Sequence, residues 1–113
     1  MPDSTFPVTE LDGRAVVTTP DEIDIGNAGL LREAVLAALT TRRPVVVVDM
    51  SGTEFCDSTG LNVLVRAHKQ AEADGISLRL VVRGAALTRI LNVTGVGSML
   101  AIYDSLDLAV AGP

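Results

Sequence analysis

Val45-Val46-Val47-Val48-Asp49-Met50-Ser51-Gly52-Thr53-Glu54-Phe55-Cys56-Asp57-Ser58-Thr59-Gly60-Leu61 decides the fold. Four consecutive β-branched residues, with no polar alternation, predict a strand covered on both faces. Asp49 ends that strand and opens a loop that runs to Asp57. Beyond the loop, Leu61, Leu64, Val65, His68 and Ala71 recur at helical spacing, and Asp74-Gly75 ends the helix. A buried strand that feeds an amphipathic helix through a short loop is the repeating unit of an α/β fold.

The same reading extends in both directions. Upstream, Val8 to Leu11 and Arg14 to Thr19 read as two strands joined at Asp12-Gly13, a strong hairpin signal. Pro20 closes the second strand, because proline cannot donate to a ladder. Leu30, Leu31, Ala34, Val35, Ala38 and Leu39 then mark a helix, with Asp24 as its expected N-cap and Thr40 to Pro44 as its end. Downstream, Ile76 to Val82 reads as a second buried strand and Ala85 to Val93 as a helix stopped at Thr94-Gly95. Gly95-Val96-Gly97 reads as the turn that caps it. Met99 to Tyr103 is a short last strand, and Ser105 caps a final helix through Val110. The order is strand, strand, then helix and strand in alternation, which predicts one α/β domain over residues 1–113 with a mixed sheet.

Bulk composition narrows the function. The chain has 113 residues, 48% of them hydrophobic and 3% aromatic, so the core is built from Val, Leu, Ile and Ala. No apolar run approaches the ~18 residues of a membrane span. The N-terminal stretch MPDSTFPVTE has neither the basic leader nor the apolar segment of a signal peptide, which predicts a cytoplasmic protein. The net charge is −5 and no basic cluster exceeds Arg42-Arg43, so neither nucleic acid nor an anionic membrane is expected as a partner. A single cysteine, Cys56, allows no internal disulfide and no multi-cysteine metal site. With no cation or histidine beside it in sequence, Cys56 reads as an inert, buried or half-buried thiol.

Chemistry concentrates at Asp57-Ser58-Thr59-Gly60. With Asp57 as N-cap, its carboxylate accepts from the backbone N–H of Thr59 or Gly60. Ser58 is then the first helical residue, and its hydroxyl is free to face solvent. The helix N-terminus carries about half a positive charge, so a phosphate on Ser58 would be favoured there. On local composition alone the tetrapeptide also fits an ordinary capped helix start.

The wider pattern resembles the STAS-domain family of anti-sigma factor antagonists. The family hallmark is a strand ending Asp-Leu-Ser and a loop ending Phe-x-Asp-Ser-Ser-Gly-Leu. Asp49-Met50-Ser51 and Phe55-Cys56-Asp57-Ser58-Thr59-Gly60-Leu61 match it. Glu22-Ile23-Asp24 is similar to the family's Glu-Leu-Asp, and Leu91 to Gly95 and Ile102-Tyr103-Asp104-Ser105 are similar to its closing elements. The resemblance implies a sheet of about four to five strands with helices mainly on one face. It also implies a switch: the unphosphorylated protein binds an anti-sigma factor, often a serine kinase, and so frees a sigma factor. The kinase phosphorylates the residue matching Ser58, which breaks the complex, and a serine phosphatase reverses it. The implied partner-binding residues are Glu22, Ile23, Asp24, Asp57, Ser58, Thr59, Gly60 and Asn62, and no cofactor is implied. Asn62 replaces a common Gly and makes the contact surface bulkier. Asp21 also replaces a common Gly, in a turn expected to keep positive φ because Asp tolerates it.

Rival chemistries fail on geometry or on missing groups. A serine hydrolase needs a base within ~3 Å of its nucleophile. The only histidine, His68, stands ten residues along the same helix, about 15 Å away at 1.5 Å per residue. His68 therefore reads as a packing residue, and no Gly-x-Ser-x-Gly elbow occurs. A receiver-type phosphorelay domain would use Asp49, but the sole lysine, Lys69, falls mid-helix rather than near the last strand; Asp49 is read as holding the following loop. No phosphate-cradling glycine motif is present. The alternatives to the antagonist are thus a receiver, or a STAS-type scaffold for another signalling protein or a small ligand. None of these readings makes the chain an enzyme.

Overall fold

The hairpin signal at Asp12-Gly13 becomes a turn with both residues at positive φ, 51° and 78°. That is the backbone of the tight turns that suit two-residue hairpins. It joins β1 (Val8–Leu11) antiparallel to β2 (Arg14–Thr18), with Leu11 opposite Arg14. A computed structural model describes residues 6–111. Residues 1–5 of the N-terminal stretch read above, and residues 112 and 113, lie outside them.

The remaining strands of the main sheet are β4 (Val45–Asp49), β6 (Ser77–Val81) and β7 (Ala101–Tyr103), and all run parallel to β2. The five-stranded order is β1-β2-β4-β6-β7, a mixed sheet with β4 at its centre. A second, two-stranded parallel sheet pairs β3 (Glu22–Ile23) with β5 (Phe55–Cys56). The helices are α1 (Ala28–Thr40), α2 (Ser58–Ala73), α3 (Ala85–Thr94) and α4 (Leu106–Ala111).

The valine run is buried on both faces because the strand's two-residue period divides it between two cores. Val46 and Val48 join Ala15, Val17, Leu78 and Leu80 against the first three helices. Val45 and Val47 join Val16 and Val81 against Ala109 and Val110 of α4. Val46, Val47 and Val48 are fully buried, and each such side chain contributes about 1.5–3 kcal/mol of transfer free energy. Three helices on one face and one short helix on the other match the expected one-sided cover.

Four local expectations change. The first helix starts at Ala28 with Asn27, not Asp24, as the cap residue. The Asp49-to-Asp57 loop and the turn after Pro20 each contain a short strand, β5 and β3. The last strand is shorter than Met99 to Tyr103, since Met99 caps the 3-10 turn Val96–Ser98, its N–H donating to the Val96 carbonyl, and pairing begins only at Ala101. On α2, Gly60, Leu61, Leu64, Ala67 and Ala71 face the core, while Val65 and His68 are only half-buried. The small side chains of Gly60 and Ala67 let the helix seat closely on the sheet, and the bulkier Val65 and His68 flank that seam.

Candidate functional site

The segment from Asp49 to Gly60 is held by successive short-range contacts. The Asp49 carboxylate accepts from the Ser51 N–H at 3.1 Å, the loop-holding role expected of it. Thr53 is buried under the loop. Its hydroxyl donates to the Pro20 carbonyl at 2.5 Å and lies within hydrogen-bond distance, 2.6 Å, of the Thr19 hydroxyl. Next, the Glu54 N–H donates to the Asp21 carbonyl at 2.8 Å, β5 pairs with β3, and the Asp57 N–H donates to the Ile23 carbonyl at 3.0 Å. Two segments some thirty residues apart in the chain therefore meet side by side, and Glu22-Ile23-Asp24 lies next to Asp57-Ser58.

Asp57 is the N-cap of α2, as expected. Its Oδ1 accepts from the Thr59 N–H at 2.9 Å, from the Gly60 N–H at 3.2 Å and from the Thr59 hydroxyl. The Thr59 hydroxyl is the main cause holding this carboxyl below its ordinary value; desolvation opposes it, and the N–H groups of Gly60, Thr59 and Ile25 assist. Hydrogen bonds to the ionised form favour that form. Ser58 is the first residue of α2, is exposed, and takes no part in the cap. Thr59, beside it, has its hydroxyl committed to Asp57.

Beneath this surface, Gly60 lies against Cys56 and Ile23. A Cβ on Gly60 would sit 2.6 Å from both Cys56 Sγ and Ile23 Cγ2. No real Cβ tolerates that distance, so glycine is required for close approach rather than for φ. Cys56 is buried, and its thiol is pushed up to about 12 by burial and then by the Asp57 charge. A thiol that stays protonated is not a nucleophile.

The eight residues implied as partner-binding divide into two groups. Glu22, Ser58 and Asn62 are exposed, and Asp24, Asp57 and Thr59 are half-buried. Ile23 and Gly60, by contrast, are buried, Ile23 completely; they position the surface and do not reach it. Three further residues belong to this surface though none was among those implied as partner-binding; of the three, only Phe55 stands in the matched motif. Asn27 latches the β3 loop: its Oδ1 accepts from the Asp24 N–H and its Nδ2 donates to the Glu22 carbonyl, both at 2.9 Å. Ile25 is 80% exposed and Phe55 46% exposed, which makes them the apolar members of an otherwise polar face. Asp21 is outside the positive-φ residues, so its replacement of glycine strains nothing; its carbonyl instead accepts from Glu54 and Phe55.

Electrostatically the face has one sign. Residues 21–27 and 54–62 hold Asp21, Glu22, Asp24, Glu54 and Asp57 and no Lys or Arg. His68 Nε2 lies 3.5 Å from Glu72 Oε2 on the same helix, remote from Ser58. Among the described residues, no group of three or more His, Cys, Asp and Glu is arranged to hold a metal ion. No helix among them is long and apolar enough to cross a membrane.

The STAS domain family model matches residues 5–109. The anti-sigma-F factor antagonist RsfB of Mycobacterium tuberculosis is 30% identical over 112 residues, covering 98% of this chain and 91% of that protein. The anti-sigma-B factor antagonist of Bacillus subtilis is 31% identical over 86 residues, covering 76% of this chain and 78% of that protein. Among solved structures, an anti-sigma factor antagonist from Mycobacterium paratuberculosis superposes with a TM-score of 0.85 at 32% identity, covering 94% of this chain and 90% of that one. With a strand, loop and capped helix that match the motif, and with this coverage along the whole chain, the protein belongs to the STAS domain family.

Proposed function

We propose that this protein is an anti-sigma factor antagonist that switches partners through Ser58. In the unmodified state, the surface formed by Glu22, Asp24, Ile25, Phe55, Asp57, Ser58 and Asn62 binds an anti-sigma factor and frees a sigma factor. An anti-sigma factor with serine kinase activity transfers the γ-phosphoryl group of ATP to the Ser58 Oγ, and a serine phosphatase removes it by hydrolysis. The chain is substrate and ligand in these steps and catalyses neither. Such partners act on transcription, so its seat is the cytoplasm.

The observation that carries this reading is Ser58 itself: exposed, at the first position of α2, and relieved of capping by Asp57. A phosphate there gains about 0.3–1 kcal/mol from the helix dipole, and Asp57 and Glu54 oppose it with repulsions of similar size. The fold therefore survives modification. Docking does not, because the face holds no cation to pair with the new charge. Burying an uncompensated multiple charge costs several kcal/mol, and ~3 kcal/mol already weakens binding more than a hundredfold.

The test compares binding curves of unmodified and stoichiometrically phosphorylated protein against the cognate anti-sigma factor. The phosphorylated sample should bind at least a hundredfold more weakly at unchanged circular dichroism. Ser58→Ala should bind as the wild type does and resist release by ATP, while Ser58→Asp should bind poorly and stay folded. Overlapping curves for the two samples would remove Ser58 as the switch. A phosphate on Ser58 survives hydroxylamine, whereas an acyl phosphate on Asp49 does not.

A further inference from the structure

Helices α1 and α2 enclose an open groove of about 550 Å³ on the outer surface of the protein. Its apolar part comes from Val35 and Leu36 of α1 and Val63 of α2, and Leu36 is 37% exposed. The charged lining is entirely basic: Arg32 from α1, Arg66 and Lys69 from α2. All three are exposed, and none is in an ion pair among the described residues. That is unexpected in a chain with 14 acidic and 9 basic residues. One-third of the cations line one groove, and no carboxylate lines it with them. On a helix, charges three or four residues apart can pair; Arg32 and Arg66 have no acidic residue at that spacing, and Glu72, three residues from Lys69, pairs with His68 instead.

We infer that the α1–α2 groove is a docking site for an acidic amphipathic helix of another protein. Shape and charge support this occupant together. On α2 the lining runs from Asn62 to Ala73, which is about 16 Å of helix at 1.5 Å per residue. A three-turn helix matches that length, laying apolar residues at i, i+3 and i+7 on Leu36 and Val63. Glutamates on either side of its apolar stripe would then meet Arg32 across the groove and Arg66 and Lys69 along α2. The groove meets the acidic face around Ser58 only at Asn62 and has the opposite sign, so it selects a different surface of a partner. The inference does not depend on the phosphorylation switch.

The probe is a synthetic helical peptide of about 16 residues, long enough to hold helix in water, with leucines on one stripe and glutamates elsewhere. Amide NMR of the full chain should show shifts at Arg32, Asn62, Arg66, Lys69 and Gln70, with affinity falling as salt rises. Arg66→Glu with Lys69→Glu should weaken binding by roughly tenfold or more, Arg66→Gln with Lys69→Gln less so, and the control Arg89→Glu on α3 should leave it unchanged. Ser58→Asp should also leave it unchanged, which separates this site from the switch. Equal binding of a peptide carrying lysine in place of glutamate overturns the inference, as do shifts centred elsewhere. It also fails if dodecanoate or a second copy of the chain occupies the groove and excludes the peptide.

Discussion

Gly60→Ala is the most informative single perturbation of this surface. The new methyl would lie 2.6 Å from Cys56 Sγ, 2.6 Å from Ile23 Cγ2 and 3.5 Å from Ile23 Cβ. Neither neighbour can yield by rotating, since both are buried and Ile23 is stiff at χ1. Either the β3–β5 pair separates from α2 or the first turn of α2 lifts. Overpacking of this kind costs about 1–3 kcal/mol, against which alanine gains up to ~1 kcal/mol of helix propensity over glycine. The expected net loss is about 1–2 kcal/mol, or a fall in Tm of roughly 4–16 °C for a domain of this size. Urea unfolding measures the loss, and amide NMR locates it at residues 21–27 and 54–60. Anti-sigma factor affinity should fall further than stability, because the displaced strands carry Glu22 and Phe55. Gly29→Ala is the control: nothing lies within 4 Å of its Cβ position, so it should leave stability equal or raised. Adding Cys56→Ala to Gly60→Ala removes one of the two contacts and should restore part of the loss. A Gly60→Ala protein as stable as the wild type, with unshifted Ile23 and Cys56 amides, would refute the close-approach argument.

Other expectations concern the same surface. Asp57 has a lowered folded-state value, so its contribution is complete above its ordinary value of 3.8 and is lost as pH falls through the lowered one. Asp57→Ala should lower stability at pH 7 by removing the N-cap of α2 and flatten the acid limb of the stability curve; carboxyl NMR showing Asp57 titrating at or above 3.8 would contradict this. Ile25→Ser and Phe55→Ser should each weaken anti-sigma factor binding about tenfold or more, as loss of an apolar anchor does. Ile25→Ser should also leave Tm within a few degrees, and equal binding by both variants would remove them from the contact. The Cys56 thiol, raised to about 12, should react with a disulfide reagent only at the rate of unfolding. Rapid labelling of the native protein would show an open site.

Local chemistry was legible in the chain itself. The valine run, the Asp12-Gly13 turn, the Asp57 cap and the free position of Ser58 depend on residues within four positions of one another. Two-residue periodicity, turn φ and N–H capping are set at that range. Strands β3 and β5 could not be read so, because two residues make no period and each forms only against the other. Their pairing, some thirty residues apart in the chain, buries Ile23 and Gly60 and leaves Ile25 and Phe55 in solvent. Asp24 shows the same limit: a good cap by composition, it lost that role when the Asn27 side chain bonded back to Asp24 and Glu22. The basic groove is likewise absent from any window of sequence, since Arg32 and Arg66 become neighbours only when α1 and α2 pack on one sheet. Residues within one turn of each other already place Ser58 at the head of α2, clear of the Asp57 cap; tertiary packing selects which side chains surround it, because exposure is a property of pairs of segments and not of any one.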